Sequence, residues 1–215
     1  MTANDDPVGR VDGPGPGSGA DPGDEPVEWV DDRGGVIEIV SRRRMRAEGL
    51  RHRATYVVVV VGPPDRFADP GSADRLAPDT EVVVHLRADW KDVAPSHWDL
   101  AFGGVCAPGE GWERSARREL AEEAGIELAP DHPLVDLGPV DFREPASGTD
   151  PGTSILGRSF LVAWPDEPVS VDGEAVAFDR VKLGELTEWL TTVTVCADSA
   201  TDVIAALLAR LDGSA

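Results

Sequence analysis

GVCAPGEGWERSARRELAEEAGI, residues 104–126, decides how the rest of this 215-residue chain is read. Gly111 precedes Trp112 and Gly125 follows Ala124, so the spacing predicts a helix over 112–124 with a glycine in the usual C′ place. That helix carries Glu119, Glu122 and Glu123 within little more than one turn. Like charges three and four residues apart each cost an isolated helix roughly 0.2–0.5 kcal/mol. Counted at about 100° per residue from Glu119, Glu123 falls at about 40° and Glu122 at about −60°, while Ala116, Leu120, Ala124 and Ala121 occupy roughly 60° to 200°. The carboxylates thus converge on one rim of a helix whose other side is apolar. A solvated acidic face is the common fate of helical glutamates, and it is the reading for Glu113 and Glu127. The alternative is a hard divalent cation, Mg2+ or Mn2+, whose charge turns mutual repulsion into attraction. Spacing alone leaves both open.

Outward from this stretch the chain alternates strand and loop signals. VEWVDDRGGVIEIV (27–40) predicts a β-hairpin, 27–31 against 36–40, around a DDRGG turn. The basic SRRRMRAEGLRHRA (41–54) reads as a connector with a helical turn near Arg44, and the β-branched run TYVVVVVG (55–62) as a strand buried on both faces. Residues 63–79 form a variable loop, and EVVVHLR (81–87) a further strand. Beyond the central helix, strands are expected at 134–142, 158–164 and 175–181, and a short helix at 182–190. A closing helix is expected over 200–211, N-capped by Ser199 or Asp198 and stopped at Gly213. Strands interleaved with so few helices predict an α/β sandwich with mixed sheets and an N-terminal hairpin, a single domain over 27–212. Residues 1–26, dense in Pro, Gly and Asp, are expected to be a disordered acidic tail.

A formal charge of −20 argues against a general nucleic-acid binder, though not against a small phosphate-bearing ligand held by local cations. No apolar run is long enough to span a bilayer, and the first residues lack a signal-peptide core, so a cytoplasmic protein is expected. Cys106 and Cys196 are expected to be free thiols. The positive charge is almost all arginine, 18 Arg to 2 Lys, which suits bidentate phosphate contacts.

Gly104, Glu110 and the run Arg118-Glu119-Leu120-Ala121-Glu122-Glu123-Ala124-Gly125-Ile126 are spaced as in the Nudix box and match it at every defining position. Seven fixed identities at about 7% frequency each coincide at a given start with a probability on the order of 10⁻⁸. The order of strands and closing helix extends the resemblance to about residues 27–212. It implies the Nudix α/β/α sandwich and hydrolysis of a diphosphate linkage, in a nucleoside diphosphate linked to another moiety or a related organic diphosphate. The cofactor it implies is Mg2+ or Mn2+, which activates the attacking water. Carried over, Glu119, Glu122 and Glu123 are metal ligands, one of which helps deprotonate that water. The carbonyl of Gly103 or Gly104 is a further ligand, and Arg118 orients the glutamates, including Glu110, by charge-assisted hydrogen bonds. Glu174 or Asp150 is the candidate for an acidic ligand from outside the box. A small-molecule diphosphate is the implied partner, with no nucleic acid and no membrane, and homodimers are common in the family.

The flanks resemble the branch of that family that includes isopentenyl-diphosphate isomerase. In HLRADWKDVAPSHWDLAFGG, Arg87 and Lys91 match an arginine and a lysine that grip the diphosphate, and His52 matches a histidine of the isomerase metal site. The isomerase cysteine and metal histidine are missing, their places being taken by Gly103 and Val105, and Cys106 reads as a small buried thiol. His52 is then structural or substrate-facing. Arg143 and Arg158 are candidates to meet the rest of the substrate, and Trp98 and Trp112 to stack on it. The rivals are the isomerase itself and a catalytically silent Nudix module that senses a nucleotide.

Overall fold

The computed structural model describes residues 21–69 and 71–211. The expected disordered tail falls largely on residues 1–20, outside that range. Ordered chain nevertheless starts before residue 27, because Asp21 accepts from the Gly23 amide at 2.8 Å and caps a 3-10 turn, Pro22–Asp24.

The hairpin pairs β1 (Pro26–Val30) with β2 (Val36–Ser41), and the Asp31 carboxylate closes its turn by accepting the Arg33 and Gly35 amides, both at 2.8 Å. The basic connector is a defined helix, α1 (Arg42–Glu48). Ser41 caps it at the Arg44 amide, Gly49 ends it in the left-handed conformation, and Met45 anchors it in the core. Strand β3 (His52–Val61) therefore begins three residues earlier than the β-branched run suggested, and His52 belongs to it.

The other strands are β4 (Glu81–Arg87), β5 (Trp98–Asp99), β6 (Ala101–Phe102), β7 (Val135–Glu144), β8 (Thr153–Trp164) and β9 (Ala175–Lys182). β3 runs parallel to β8 along its whole length and antiparallel to β1, β4 and β6, while β4 pairs antiparallel with β5 and β9. β7 and β8 form a hairpin reaching Glu144 opposite Thr153, so much of the stretch between the expected strands is ladder.

β3 shows why the chain makes three layers. Its even residues, Ala54, Tyr56, Val58 and Val60, pack with Leu100, Val203, Ile204 and Leu207. Its odd residues, Val57 and Val59, pack with Phe102, Ala116, Leu120, Ala124 and Phe160. Period-two alternation on one buried strand thus sends α2 (Trp112–Ala124) to one face of the mixed sheet and the C-terminal helices to the other, giving an α/β/α sandwich.

The expected helix at 182–190 is a 3-10 turn, Leu183–Glu185, followed by α3 (Leu186–Trp189). The expected closing helix is two, α4 (Ala197–Ala200) and α5 (Asp202–Leu208), broken at Thr201 where φ is −95° and ψ −87°. Asp198 and Ser199 do not cap it from outside. They lie within α4, drawn by buried partners: Asp198 accepts from Tyr56 Oη at 3.0 Å and Ser199 Oγ donates to Asp99 at 2.6 Å. Gly213 lies outside the described residues. No helix among the described residues is long and apolar enough to cross a membrane.

Candidate active site

Residues 103–106 run beside the start of β3. The Thr55 amide donates to the Gly104 carbonyl at 3.0 Å, the Cys106 amide donates to the Arg53 carbonyl at 2.9 Å, and Ala54 bridges to Val105. Both glycines are needed for this approach. A Cβ on Gly103 would sit 1.9 Å from the Thr55 carbonyl oxygen, and one on Gly104 would sit 2.8–2.9 Å from the Glu119 carboxylate. The Gly103 amide turns the other way and donates to Glu123 Oε2 at 3.0 Å. Of the two glycine carbonyls considered from the sequence, that of Gly104 is thus engaged by the sheet.

α2 does not present its three glutamates as one group. Glu119 and Glu123 are each 7% exposed, whereas Glu122 is exposed. Arg118 ties the acids together. Its Nε and Nη2 donate to Glu110 at 3.1 and 2.9 Å, and its Nη1 lies 2.8 Å from Glu119 and 3.0 Å from Glu122. Glu110 is buried, accepts the Ala107 amide at 3.0 Å and does not border the cleft described below. Burial raises the Glu119 carboxyl to about 7. Burial, and then the charges of Glu119 and Glu174, hold Glu123 well above the usual carboxylate range.

Among the described residues no three His, Cys, Asp or Glu side chains stand close enough to form a ready-made metal cage. The donor set nonetheless fits a hard divalent cation, being oxygen-only, with Glu119 and Glu123 buried beside the exposed Glu122 and, among the described residues, only Arg118 and Lys91 paired with its carboxylates. The cleft it borders, about 700 Å³, is lined by ten carboxylates against five side-chain cations.

Those cations include Arg87 and Lys91. Arg87, on β4, donates to the Val93 carbonyl at 3.3 and 3.1 Å and lies 3.6 Å from Asp99, and Lys91 is ion-paired with Glu174. Glu174, just before β9, borders the cleft. Asp150 does not, since its carboxylate accepts the Gly152 amide in the β7–β8 turn. Arg143 is paired with Asp32 and Asp141, and Arg158 with Asp136, all away from the cleft. Trp98 packs edge-on against Trp189 at 5.8 Å and Trp112 lies under the Arg53 guanidinium at 4.0 Å, so neither lines the cleft.

His52 does line it. The ring is 3% exposed, its Nδ1 is 3.0 Å from the Leu50 carbonyl, and burial lowers its pKa to about 4, so it is a neutral imidazole. Cys106 is buried and its thiol is pushed up to about 11 by that burial, which leaves it protonated.

Sequence reading missed several lining residues. Arg42 and Arg46 reach the cleft from α1, and their four-residue spacing in SRRRMRAEG was a usable signal once that segment is a helix. Tyr56, Asp99 and Asp198 come from three distant segments with no local pattern to connect them.

The NUDIX domain family model matches residues 73–197. An uncharacterized Nudix hydrolase of Pseudomonas aeruginosa is 30% identical over 176 residues, covering 81% of this chain and 89% of that protein. Uncharacterized Nudix hydrolases of Yersinia pestis and Escherichia coli, the latter YfcD, are each 39% identical over 107 residues, 48% of this chain. Those matches span about half of the relatives' own lengths, 50% and 51%. Among solved structures, DR0079 from Deinococcus radiodurans superposes with a TM-score of 0.60 at 17% identity, covering 84% of this chain and 98% of that one. The MutT protein from Methanosarcina mazei superposes at 0.51 with 18% identity, covering 73% and 92%. The glycine-seated loop, the helix of buried glutamates and these independent matches agree, and the chain belongs to the Nudix family.

Proposed function

We propose that this protein hydrolyses an organic diphosphate with the help of Mg2+ or Mn2+. The observation that carries the reading is a pair of buried carboxylates, Glu119 and Glu123, facing a cleft that also holds Arg87 and Lys91. Two buried acids one helical turn apart, of which only Glu119 has an ion-pair partner among the described residues, are costly unless a further cation compensates them. A diphosphate, in turn, meets ten carboxylates against five side-chain cations in this cleft, which favours its entry together with a metal ion.

Glu119, Glu122, Glu123 and the Gly103 carbonyl would hold the ion, with Glu174 as the ligand from outside the box. When bound, the ion supplies charge neutralisation on the phosphate oxygens and lowers the pKa of water. Arg118 keeps Glu119 and Glu122 in place and is itself braced by Glu110. Arg87 and Lys91 bind phosphate oxygens and fix the diphosphate in line with the attacking water. Water adds to one phosphorus, its proton passes to a box carboxylate, and the bridging P–O bond breaks to leave two phosphate products. Isomerase chemistry does not suit the loop, where glycine and valine occupy the places of the required cysteine and histidine and Cys106 is a protonated, buried thiol.

The test is release of phosphate or phosphomonoester from a panel of diphosphates by the wild type and by Glu123→Gln. Turnover that needs Mg2+ or Mn2+ and disappears in the variant supports the reading. Thermal protection by a panel member without turnover replaces it with a binding module.

A further inference from the structure

We propose that the inner wall of the cleft is a subsite for a hydrogen-bond-donating group, hydroxyl or amino, on the organic part of the diphosphate; this rests on the hydrolase reading above. The wall is built by His52 and Tyr56 from β3, Asp99 from β5 and Asp198 from α4, all of which border the cleft.

The assignment follows from where each proton goes. The Leu50 carbonyl can only accept, so the proton of neutral His52 sits on Nδ1 and Nε2 is a bare acceptor. That nitrogen has no hydrogen-bond partner among the described residues, although His52 is only 3% exposed and borders the cleft. Tyr56 Oη spends its proton on Asp198 at 3.0 Å and keeps its lone pairs. Asp198 also accepts the Cys196 thiol at 2.9 Å, and Asp99 accepts the Ser199 hydroxyl at 2.6 Å and the Ala101 amide at 3.2 Å. Every donor of the wall is consumed within the protein. What these four residues leave toward the cleft is a set of acceptors, two of them on carboxylates, while Arg42 and Arg46, whose Nε atoms have no hydrogen-bond partner among the described residues, border the same cleft from α1.

Such a wall selects by what it would leave unpaired. A hydrocarbon chain would bury the bare His52 nitrogen and the Tyr56 oxygen against nothing that can donate, and a site built on hydrogen bonds strongly rejects an analogue lacking the donor. A further phosphate or carboxylate placed against Asp99 and Asp198 would meet like charge, and would have to turn to Arg42 and Arg46 on α1 instead. A hydroxyl-rich or amino-bearing group satisfies the acceptors, and Arg87, 3.6 Å from Asp99, stands where such a group would join the diphosphate.

The experiment compares compounds carrying a single group on the diphosphate: a monosaccharide diphosphate, an aminoethyl diphosphate, a hexyl diphosphate and inorganic triphosphate, each with Mg2+. Wild type is expected to favour one of the two donor-bearing compounds over hexyl diphosphate and triphosphate by tenfold or more in kcat/KM, and the better of the two says whether hydroxyl or amine is read. In Tyr56→Phe and in His52→Leu the ratio over hexyl diphosphate is expected to fall at least fivefold, roughly the worth of one neutral hydrogen bond. Equal kcat/KM across the panel, or an unchanged ratio in both variants, overturns the subsite while leaving the hydrolase intact. If wild type turns over nothing, the hydrolase reading fails, and the same four compounds ranked by thermal stabilisation still decide the subsite: preferential protection by a donor-bearing compound upholds it, and no preference overturns it.

Discussion

Glu119→Gln should make the metal-free protein more stable at alkaline pH while removing its response to metal. The Glu119 carboxyl is raised from an ordinary 4.5 to about 7, with burial outweighing the Arg118 guanidinium beside it. A folded-state pKa above the unfolded value means that this group's contribution is fully present below pH about 4.5 and is lost as pH rises through about 7. At about 1.4 kcal/mol per unit, the loss amounts to about 3 kcal/mol by pH 8.5. For a chain of this size that corresponds to about 6–12 °C in Tm. A glutamine of nearly the same shape does not ionise. In chelator, the variant's Tm at pH 8.5 is therefore expected to exceed that of the wild type by up to this amount, with the two converging near pH 5. Added Mg2+ is expected to restore the wild type at pH 8.5 and leave the variant unmoved. Scanning calorimetry from pH 5 to 8.5 with chelator and with Mg2+ reads all of this. A variant less stable than wild type at pH 8.5 in chelator would refute the reasoning, because it would mean that the Arg118 pair outweighs the cost of burying the charge.

The glycines of the box loop give two further tests. Gly104→Ala places a methyl 2.8 Å from the Glu119 carboxylate, so Mg2+-dependent stabilisation should weaken and kcat/KM should fall at least tenfold in a protein that remains folded by circular dichroism. Gly103→Ala drives a methyl to 1.9 Å from a backbone oxygen of β3 and should destabilise the fold itself by about 3 kcal/mol or more, read by urea denaturation. Lys91→Met leaves Glu174 without its cation and, on the proposed reading, removes a phosphate contact, so KM should rise about tenfold or more in a kinetic assay. His52, lowered to about 4, should contribute no limb to the activity profile between pH 5 and 9, so His52→Gln should keep the wild-type limbs even where its rate is lower.

The parts of this protein that were legible in its sequence are those whose physics is local. Glycine punctuation marked both ends of α2, and a β-branched run marked most of β3. The alternation of β3 between two core clusters then made the three layers nearly unavoidable. The helical wheel already placed Glu122 farthest from the apolar side and Glu123 nearest to it, in agreement with the exposure the fold shows, but it could not name the groups that hold them. Arg118, braced by Glu110 eight residues earlier, holds both Glu119 and Glu122, and the Gly103 amide holds Glu123. The α1 helix was hidden by its arginines, which suggest a solvated connector until Ser41 and Gly49 are recognised as caps. Least legible was the inner wall, where Asp99 and Asp198, 99 residues apart, both accept from Ser199 while Tyr56 donates to Asp198. This difference has a chemical logic. Diphosphate cleavage requires a few oxygen ligands in fixed relative positions, which one helix and its loop can supply. On the proposed reading, recognition of whatever the diphosphate carries uses side chains brought together only by the completed sheet, so two chains sharing the box can differ in substrate without a residue of the box changing.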